Sequence, residues 1–268
     1  MARAKQLDVI TGSIANLSFY TRKGSDTVFV RTKGGAKKNR IKRSPEFENV
    51  RKSNKEFGGC SKMSKEIRRT FYALAHVADF NVSSELCAIA KKIQKEDIEN
   101  PVGERTIRLS AYRQILSGFD FNRSNRFDSI LRVPFQWNIE RELQQAVVDI
   151  PAFNSSFALN MFGNYALFRI IISMGRATDF QLNDRRSDYE ATHFNLNLGY
   201  GLTSTPWYST LAAVPEQQLK LDILNDGITF NDDDTLILCI AIEFGALDAL
   251  ANPTTLKHRG AGKILGLK

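Results

Sequence analysis

The residues that could carry acid–base or metal chemistry in this 268-residue chain are three histidines and one short acidic run. His76, His193 and His258 lie far apart in the sequence, and none has a second type of metal ligand at a ligating spacing. The acidic run NDDDT occupies residues 231–235, with Asp226 upstream. It lacks the glycine and the spaced carboxylates of a calcium loop, so a polar hairpin turn explains it better. The sequence therefore predicts no metal, no cofactor and no catalytic residue.

Motifs for nucleophilic catalysis and for phosphate binding are also missing. The chain contains no GxSxG, no P-loop and no GxGxxG. The stretch KGGAKK, residues 33–38, has glycines and cations, but not the spacing that would seat phosphates on a helix amino terminus. Cys60, Cys87 and Cys239 show no CxxC spacing and are typical of reduced thiols. We predict that the protein is not an enzyme.

The strongest signal for a partner is a basic segment near the amino terminus. Phosphate contacts by such a segment would give salt-dependent, sequence-tolerant binding to nucleic acid. Tyr20 and Phe29 lie nearby and could stack on bases, although aromatic side chains on an amphipathic hairpin more often pack. Seven cations form the candidate partner- or polyanion-binding set: Arg31, Lys33, Lys37, Lys38, Arg40, Lys42 and Arg43.

The charge of the chain is distributed unevenly, and this limits the kind of partner. Residues 1–70 hold 18 Lys+Arg and 6 Asp+Glu, a balance of +12, whereas the remaining chain has a balance of −4. Such asymmetry suggests either a polyanionic partner or association of the basic end with the acidic body of another copy. A solvated basic face with no partner is the third alternative.

Two alternating segments precede the basic run and predict a β-hairpin. Residues 15–21 and 27–32 alternate apolar and polar side chains, and Gly24 and Asp26 between them suit a tight turn. A lone hairpin is marginally stable in water, so this one needs something to pack on. The predicted docking face consists of Leu17, Phe19, Val28 and Val30.

The next region, residues 44–118, is predicted to be helical. Ser44 and Pro45 are a helix-start signal for a stripe of Phe47, Val50 and Phe57. Gly58 and Gly59 are predicted to break this helix. Further helices are predicted over residues 61–78, from Ser83 or Ser84 onward, and over residues 109–116. Together they would form a small helical bundle.

The remainder of the chain, residues 119–268, reads as β-structure. Two of the runs, ALFRIIIS and TLILCIAIEF, are apolar on both faces and predict central strands, and AGKILGLK predicts a last edge strand. The sequence thus predicts an α+β protein: a basic hairpin arm over residues 1–43, a helical region over 44–118, and a β-sandwich, immunoglobulin-like in outline, over 119–268. The predicted strands cover residues 126–137, 143–150, 165–174, 193–200, 219–224 and 235–244.

Five motifs resemble a family of uncharacterised proteins common in Bacteroidota: GSIANLSFYTRKG, VRTKGG, LSGFDFN, VDIPAFN and IAIEFG. The chain departs from the family pattern at Ser155, where proline is usual, and at Gly245 and Ala246, where Tyr-Gln is usual. The resemblance covers most of the chain and implies a lineage and a two-part fold. It implies no activity, because the motifs resemble turn and packing features.

Two functions follow as hypotheses. The first is a non-enzymatic, self-assembling structural subunit whose basic arm docks on a neighbouring subunit, as a homo-oligomer or a filament. The alternative is a nucleic-acid-binding architectural protein that uses residues 31–43. The sequence shows no run of eighteen apolar residues and no apolar segment of the secretory type in its first residues, so we expect no membrane partner and a cytoplasmic location by default. Export by an unconventional route stays open.

Overall fold

A computed structural model describes residues 3–6, 9–22, 25, 27–193, 199–223 and 230–268 of the chain. The chain divides into two compact units, Met1–Arg51 and Lys52–Lys268. This division differs from the predicted boundaries at residues 43/44 and 118/119. The physical reason is that the helices after residue 51 share a hydrophobic core with the large β-sheet, so that helical and β regions form one unit. We call the first unit the arm and the second unit the body.

The arm contains four antiparallel strands in sequential order. They are β1 (Arg3–Gln6), β2 (Val9–Ile14), β3 (Leu17–Thr21) and β4 (Val28–Thr32). The predicted hairpin is confirmed by the pairing of β3 with β4, and two further strands extend it into a sheet. The predicted turn residues Gly24 and Asp26 lie outside the described residues. Beyond the sheet, the basic loop predicted to run to Arg43 is wrong in part, because Lys38–Arg43 form a short helix, α1.

The helices that follow are α2 (Glu48–Arg69), α3 (Ser83–Lys95), α4 (Phe127–Ile130) and α5 (Ser155–Ala158), with 3-10 helices at Pro45–Phe47, Tyr72–Val77 and Arg113–Leu116. The predicted break at Gly58 and Gly59 is wrong, since α2 runs through both. Gly59 instead allows close packing: a Cβ atom there would lie 2.6 Å from Cγ of Tyr189. The predicted packed stripe is also wrong, because Val50 and Phe57 are exposed.

The body contains two main antiparallel sheets. The larger has the order β11 (Tyr200–Ser204), β8 (Leu167–Thr178), β15 (Asp234–Leu247) and β16 (Pro253–Leu267), and β12 (Tyr208–Ser209) also pairs with β8. The smaller has the order β14 (Gln217–Asp222), β6 (Gln145–Ile150) and β5 (Gln136–Glu140). Two short pairs complete the body: β7 (Phe153–Asn154) with β13 (Ala213–Val214), and β9 (Phe180–Asn183) with β10 (Asp188–Ala191).

Strand β15 shows why the larger sheet lies at the centre of the body. Its side chains alternate between the two faces of the sheet, and both faces are buried. Leu238 and Ile240 pack toward the smaller sheet, whereas Cys239 and Ala241 pack against the helices. The prediction that TLILCIAIEF is a central strand is confirmed by its pairing with β8 on one side and β16 on the other.

The α+β class predicted from the sequence is confirmed, with two antiparallel sheets packed on a common core. The immunoglobulin-like outline holds only as far as these two sheets, because helices rather than solvent cover the outer face of the larger one. The predicted strand at residues 126–137 is wrong over Phe127–Ile130, which is helical. Most of the predicted strand at 193–200 lies outside the described residues. Within the described part of the chain, no helix has both the length and the apolar content that crossing a bilayer requires.

Candidate docking surface of the arm

The apolar face of the arm sheet forms as the alternation of the strands requires. Phe19 pairs with Val30, and Leu17 pairs with Thr32, which places these side chains on one face. This face is open: Val30 is 52% exposed and Leu17 is 39% exposed. Val28 and Phe19 are half-buried. The four predicted docking residues are therefore brought together, and none of them is buried.

The opposite face of the same two strands carries aromatic rings paired with arginines. Tyr20 and Phe29 are cross-strand partners whose ring centroids lie 5.8 Å apart in a stacked arrangement. The guanidinium of Arg22 lies 4.3 Å from the Phe29 centroid, and that of Arg31 lies 5.4 Å from the Tyr20 centroid. These cation–π contacts occupy ring surface that base stacking would need.

The seven predicted basic residues are all exposed. Lys33 Nζ donates to the carbonyl of Ala15 at 2.8 Å, and Arg40 Nε donates to Glu46 Oε1 at 2.7 Å. Of the seven, Arg40 alone has an ion-pair partner among the described residues. Four have no side-chain hydrogen bond or ring contact there either: Lys37, Lys38, Lys42 and Arg43. The cluster is therefore a concentrated positive charge that the arm itself does not neutralise.

The arm as a whole lacks a buried core. No described residue between Thr11 and Arg51 is buried. A small sheet gains its stability mainly from burying one face, so a four-stranded sheet with an open apolar face is marginal by itself.

The net charge is also distributed unevenly between the arm and the body. Met1–Arg51 holds 12 Lys+Arg and 4 Asp+Glu, whereas Lys52–Lys268 holds 25 of each.

In the body, Glu243 is a buried ionisable group with three hydrogen-bond partners, and the sequence analysis did not single it out. It is 1% exposed and lies on the helix-facing side of β15. His76 Nε2 donates to its Oε2 at 2.5 Å, Arg169 Nε donates to Oε1, and the Thr255 hydroxyl donates to Oε1 at 3.2 Å. The signal in the sequence was a glutamate inside an apolar strand, because a buried carboxylate must be paired.

The pKa values of this cluster follow from these bonds. The hydrogen bond to Glu243 raises the pKa of His76, against the opposing effect of burial. Burial alone would raise the pKa of Glu243, but hydrogen bonds from His76 and Arg169 outweigh it and hold this pKa below its ordinary value. The second ring nitrogen of His76 faces the carbonyl of Ala73 at 2.9 Å. Both nitrogens thus face acceptors, which favours the imidazolium form, and the cluster serves as a structural link between the Tyr72–Val77 helix and the sheet.

The other predicted features of the body also have structural surroundings. His193 Nε2 lies 3.4 Å from Asp233, and His258 is exposed within β16. In the run NDDDT, Asp234 is buried and accepts from the backbone of Asn231 at 3.0 Å, which closes a turn. Asp226 lies outside the described residues. Among the residues that the structure describes, no group of three or more metal-ligating side chains occurs.

One cleft of about 340 Å³ in the body is lined by several cations together with Phe180 and Tyr189. Three of its cations are already matched by carboxylates. Lys62 lies 2.7 Å from Asp188, Arg69 lies 3.2 Å from Glu66, and Arg186 lies 3.6 Å from Glu190. The cleft therefore presents little uncompensated charge to a ligand.

The asparagines that end the motifs LSGFDFN and VDIPAFN fix the local backbone through hydrogen bonds. Asn122 donates to the carbonyl of Val77 at 2.8 Å and accepts from the backbone of Gly262 at 3.1 Å. Asn154 caps α5 by accepting from the backbone of Ser156 at 3.0 Å. These contacts are packing and capping contacts. Comparison of the chain with family models, with curated proteins and with solved structures gives no match.

Proposed function

We propose that this protein is a non-enzymatic structural subunit that assembles with copies of itself, with its basic arm docked on a neighbouring subunit. The observation that carries the proposal is the arm's lack of any buried described residue between Thr11 and Arg51, together with its open apolar face. Burying that face on another subunit would supply the stabilisation that the sheet does not gain alone.

The distribution of charge supports docking between copies. The arm carries the whole net charge of +8, while the body is balanced. A basic arm is repelled by other arms and is drawn to carboxylates on another copy's body. Free, buried thiols at Cys60, Cys87 and Cys239 suit a reducing compartment, so we place the assembly in the cytoplasm.

A test uses a variant in which five cations of the arm become serine: Lys37, Lys38, Arg40, Lys42 and Arg43. Light scattering after gel filtration, with and without nuclease, measures particle size. We expect an oligomeric wild type that nuclease leaves unchanged, and a variant that assembles only at higher concentration. Exposed ion pairs contribute under about 1 kcal/mol each, but the loss is repeated at every contact of an assembly.

The matched control removes the same charge from the body by changing five exposed cations to serine: Lys92, Lys95, Arg132, Lys257 and Arg259. We expect the control to assemble as the wild type does. If both variants dissociate equally, net charge rather than the arm governs assembly, and the docking role is wrong.

Nucleic-acid binding is the second candidate, favoured by the four cations whose side chains have no ion pair, hydrogen bond or ring contact among the described residues. On this hypothesis the wild type stays monomeric at high concentration and binds DNA tightly at low salt. Removing five phosphate contacts would then reduce the slope of log affinity against log salt by roughly four. That pair of results would replace the assembly proposal.

A further inference from the structure

The body offers one strand edge that matches the arm in length, shape and charge. Strand β5 (Gln136–Glu140) pairs with β6 on one side, and no described strand pairs with it on the other. Among the described residues, the backbone of β5 accepts one side-chain hydrogen bond, which Lys268 Nζ donates to the carbonyl of Ile139 at 2.8 Å. Its sequence QWNIE contains none of the lysine, proline or bulge features that usually protect an edge strand.

The other edges of the two main sheets are less suited to a new strand. The β16 edge is bonded by the segment that follows the Arg113–Leu116 helix, since Gly118 N donates to Ile264 O and Phe121 N donates to Gly262 O. The remaining length of β16 carries exposed Lys257 and Arg259, which would repel a basic arm. Strands β11 and β14 lie against each other, because a Cβ at Gly201 would be 3.0 Å from the carbonyl oxygen of Asp222.

The arm sheet has a complementary edge in β4 (Val28–Thr32), which has the same length of five residues. Among the described strands, β4 pairs only with β3. When two sheets join edge to edge, each face of one continues a face of the other. On the inner side of β5, Ile139 belongs to the core and Trp137 is 42% exposed above the backbone of Gly266. Val30 is 52% exposed on the apolar face of β4, so joining the apolar sides would cover Val30 and Trp137 together.

The polar sides match as well. The outer face of the smaller sheet bears Glu140, Asp149 and Asp222, opposed by the single cation Lys220. The corresponding face of β4 bears Arg31. Joining apolar to apolar therefore also brings the arm's arginine toward carboxylates.

From this double match we infer that β4 of one copy adds to the free edge of β5 of a second copy, forming an intermolecular seven-stranded sheet. The inference rests on the proposed function and names its receiving surface. Backbone hydrogen bonds supply attraction, and the amphipathic match fixes which face is which. A reciprocal exchange closes a dimer, whereas a head-to-tail exchange builds a chain of copies.

The first experiment introduces a like charge on the edge strand. In Asn138→Lys, a cation stands on the outer side of β5, facing the arm's Arg31. The matched control, Gln218→Lys, places the same charge on the same sheet face but on β14. We expect Asn138→Lys to raise the concentration needed for assembly at least about tenfold, and Gln218→Lys to change it little.

The outcomes separate this inference from the proposed function. A monomeric wild type overturns both. An oligomeric wild type in which both lysine variants assemble normally overturns the β5 edge and leaves self-assembly intact. If the two variants dissociate equally, the contact between copies involves the sheet face rather than the β5 edge, and the edge pairing is overturned.

A second measurement keeps the test valid if Asn138→Lys fails to fold. Protein carrying Arg31→Cys is mixed with protein carrying Asn138→Cys and oxidised, with the three native thiols buried. Both positions lie on the polar side of the joined sheet, so we expect a disulfide-linked dimer in this mixture. A mixture of Arg31→Cys with Gln218→Cys should not give it. Equal yields in the two mixtures, or no linked dimer in the first, would contradict the pairing.

Discussion

Glu243 is a buried, doubly paired residue whose replacement should destabilise the body. Glu243→Gln keeps the shape of the side chain but removes the charge that two cations share. Breaking a buried ion pair on one side costs about 3–5 kcal/mol, and partial exposure of His76 and Arg169 places this case near about 3 kcal/mol. Urea unfolding of the wild type and the variant would measure this loss in the free energy of unfolding. The control is Glu85→Gln in the exposed pair with Arg123, which should cost under about 1 kcal/mol. Equal losses would contradict the structural role of Glu243.

The same cluster predicts how stability depends on pH. The pKa of His76 is raised in the folded protein, so the folded state holds this proton more tightly than the unfolded state does. Its contribution is fully present below the unfolded value of about 6.5 and is lost as pH rises through the folded value. The pKa of Glu243 is lowered, so its contribution is lost as pH falls below the ordinary value. Unfolding of wild type and His76→Gln across pH should show a stability gap that is wide at pH 6 and narrows as the pH rises through the folded pKa of His76. A gap that does not vary with pH would contradict the assignment.

Helix α2 provides a pair of adjacent glycines with opposite expected responses. A Cβ at Gly59 would meet the ring of Tyr189, whereas a Cβ at Gly58 has no atom within 4 Å. Gly58→Ala should therefore stabilise the helix by about 0.5–1 kcal/mol. Gly59→Ala gains the same propensity but forces the Tyr189 ring to shift, at a cost of about 1–3 kcal/mol. Thermal unfolding should rank Gly58→Ala above wild type and Gly59→Ala below it. Similar midpoints for the two variants would show that the ring moves freely.

These glycines also show how far the sequence predicts the elements. Alternation of apolar and polar residues identified β3 and β4, because successive side chains of a strand point to opposite faces. A continuous apolar run identified the central strand β15, because both of its faces are buried. The break at Gly58 and Gly59 was predicted from local propensity, and packing on Tyr189, distant in sequence, overrides that propensity. The helix at Phe127–Ile130 was missed because four residues give no period.

The candidate site was predictable only in its composition. The exposure of the seven cations follows from their residue type. The shared face of Leu17, Phe19 and Val30 follows from the alternation of side chains along the strands. The arm's extra strands and the free edge of β5 depend on which strands pair, and pairing over long sequence separations leaves no local pattern. The buried surroundings of Glu243 likewise required knowledge of its neighbours His76 and Arg169, which lie 167 and 74 positions away.

The division into arm and body makes a prediction about the molecule without its arm. Both hydrophobic cores consist of residues from Cys60 onward, and no described residue from Thr11 to Arg51 is buried. A chain starting at Pro45 should therefore keep a single cooperative unfolding transition. Loss of about 1 kcal/mol would shift the midpoint by roughly 2–4 °C at this size, so we expect a shift no larger than that at a dilution where the wild type is monomeric.

The shortened chain should at the same time lose assembly, since it lacks β4 and the basic segment. It holds 26 Lys+Arg and 27 Asp+Glu, a balance near zero that promotes non-specific association. Light scattering is therefore measured over a range of protein concentrations, because non-specific association gives no fixed particle size. A monomer with a sharp unfolding transition is the expected result. A specific oligomer of the wild-type size would instead show that the body assembles by itself and that the arm serves another purpose, with nucleic acid the first partner to test.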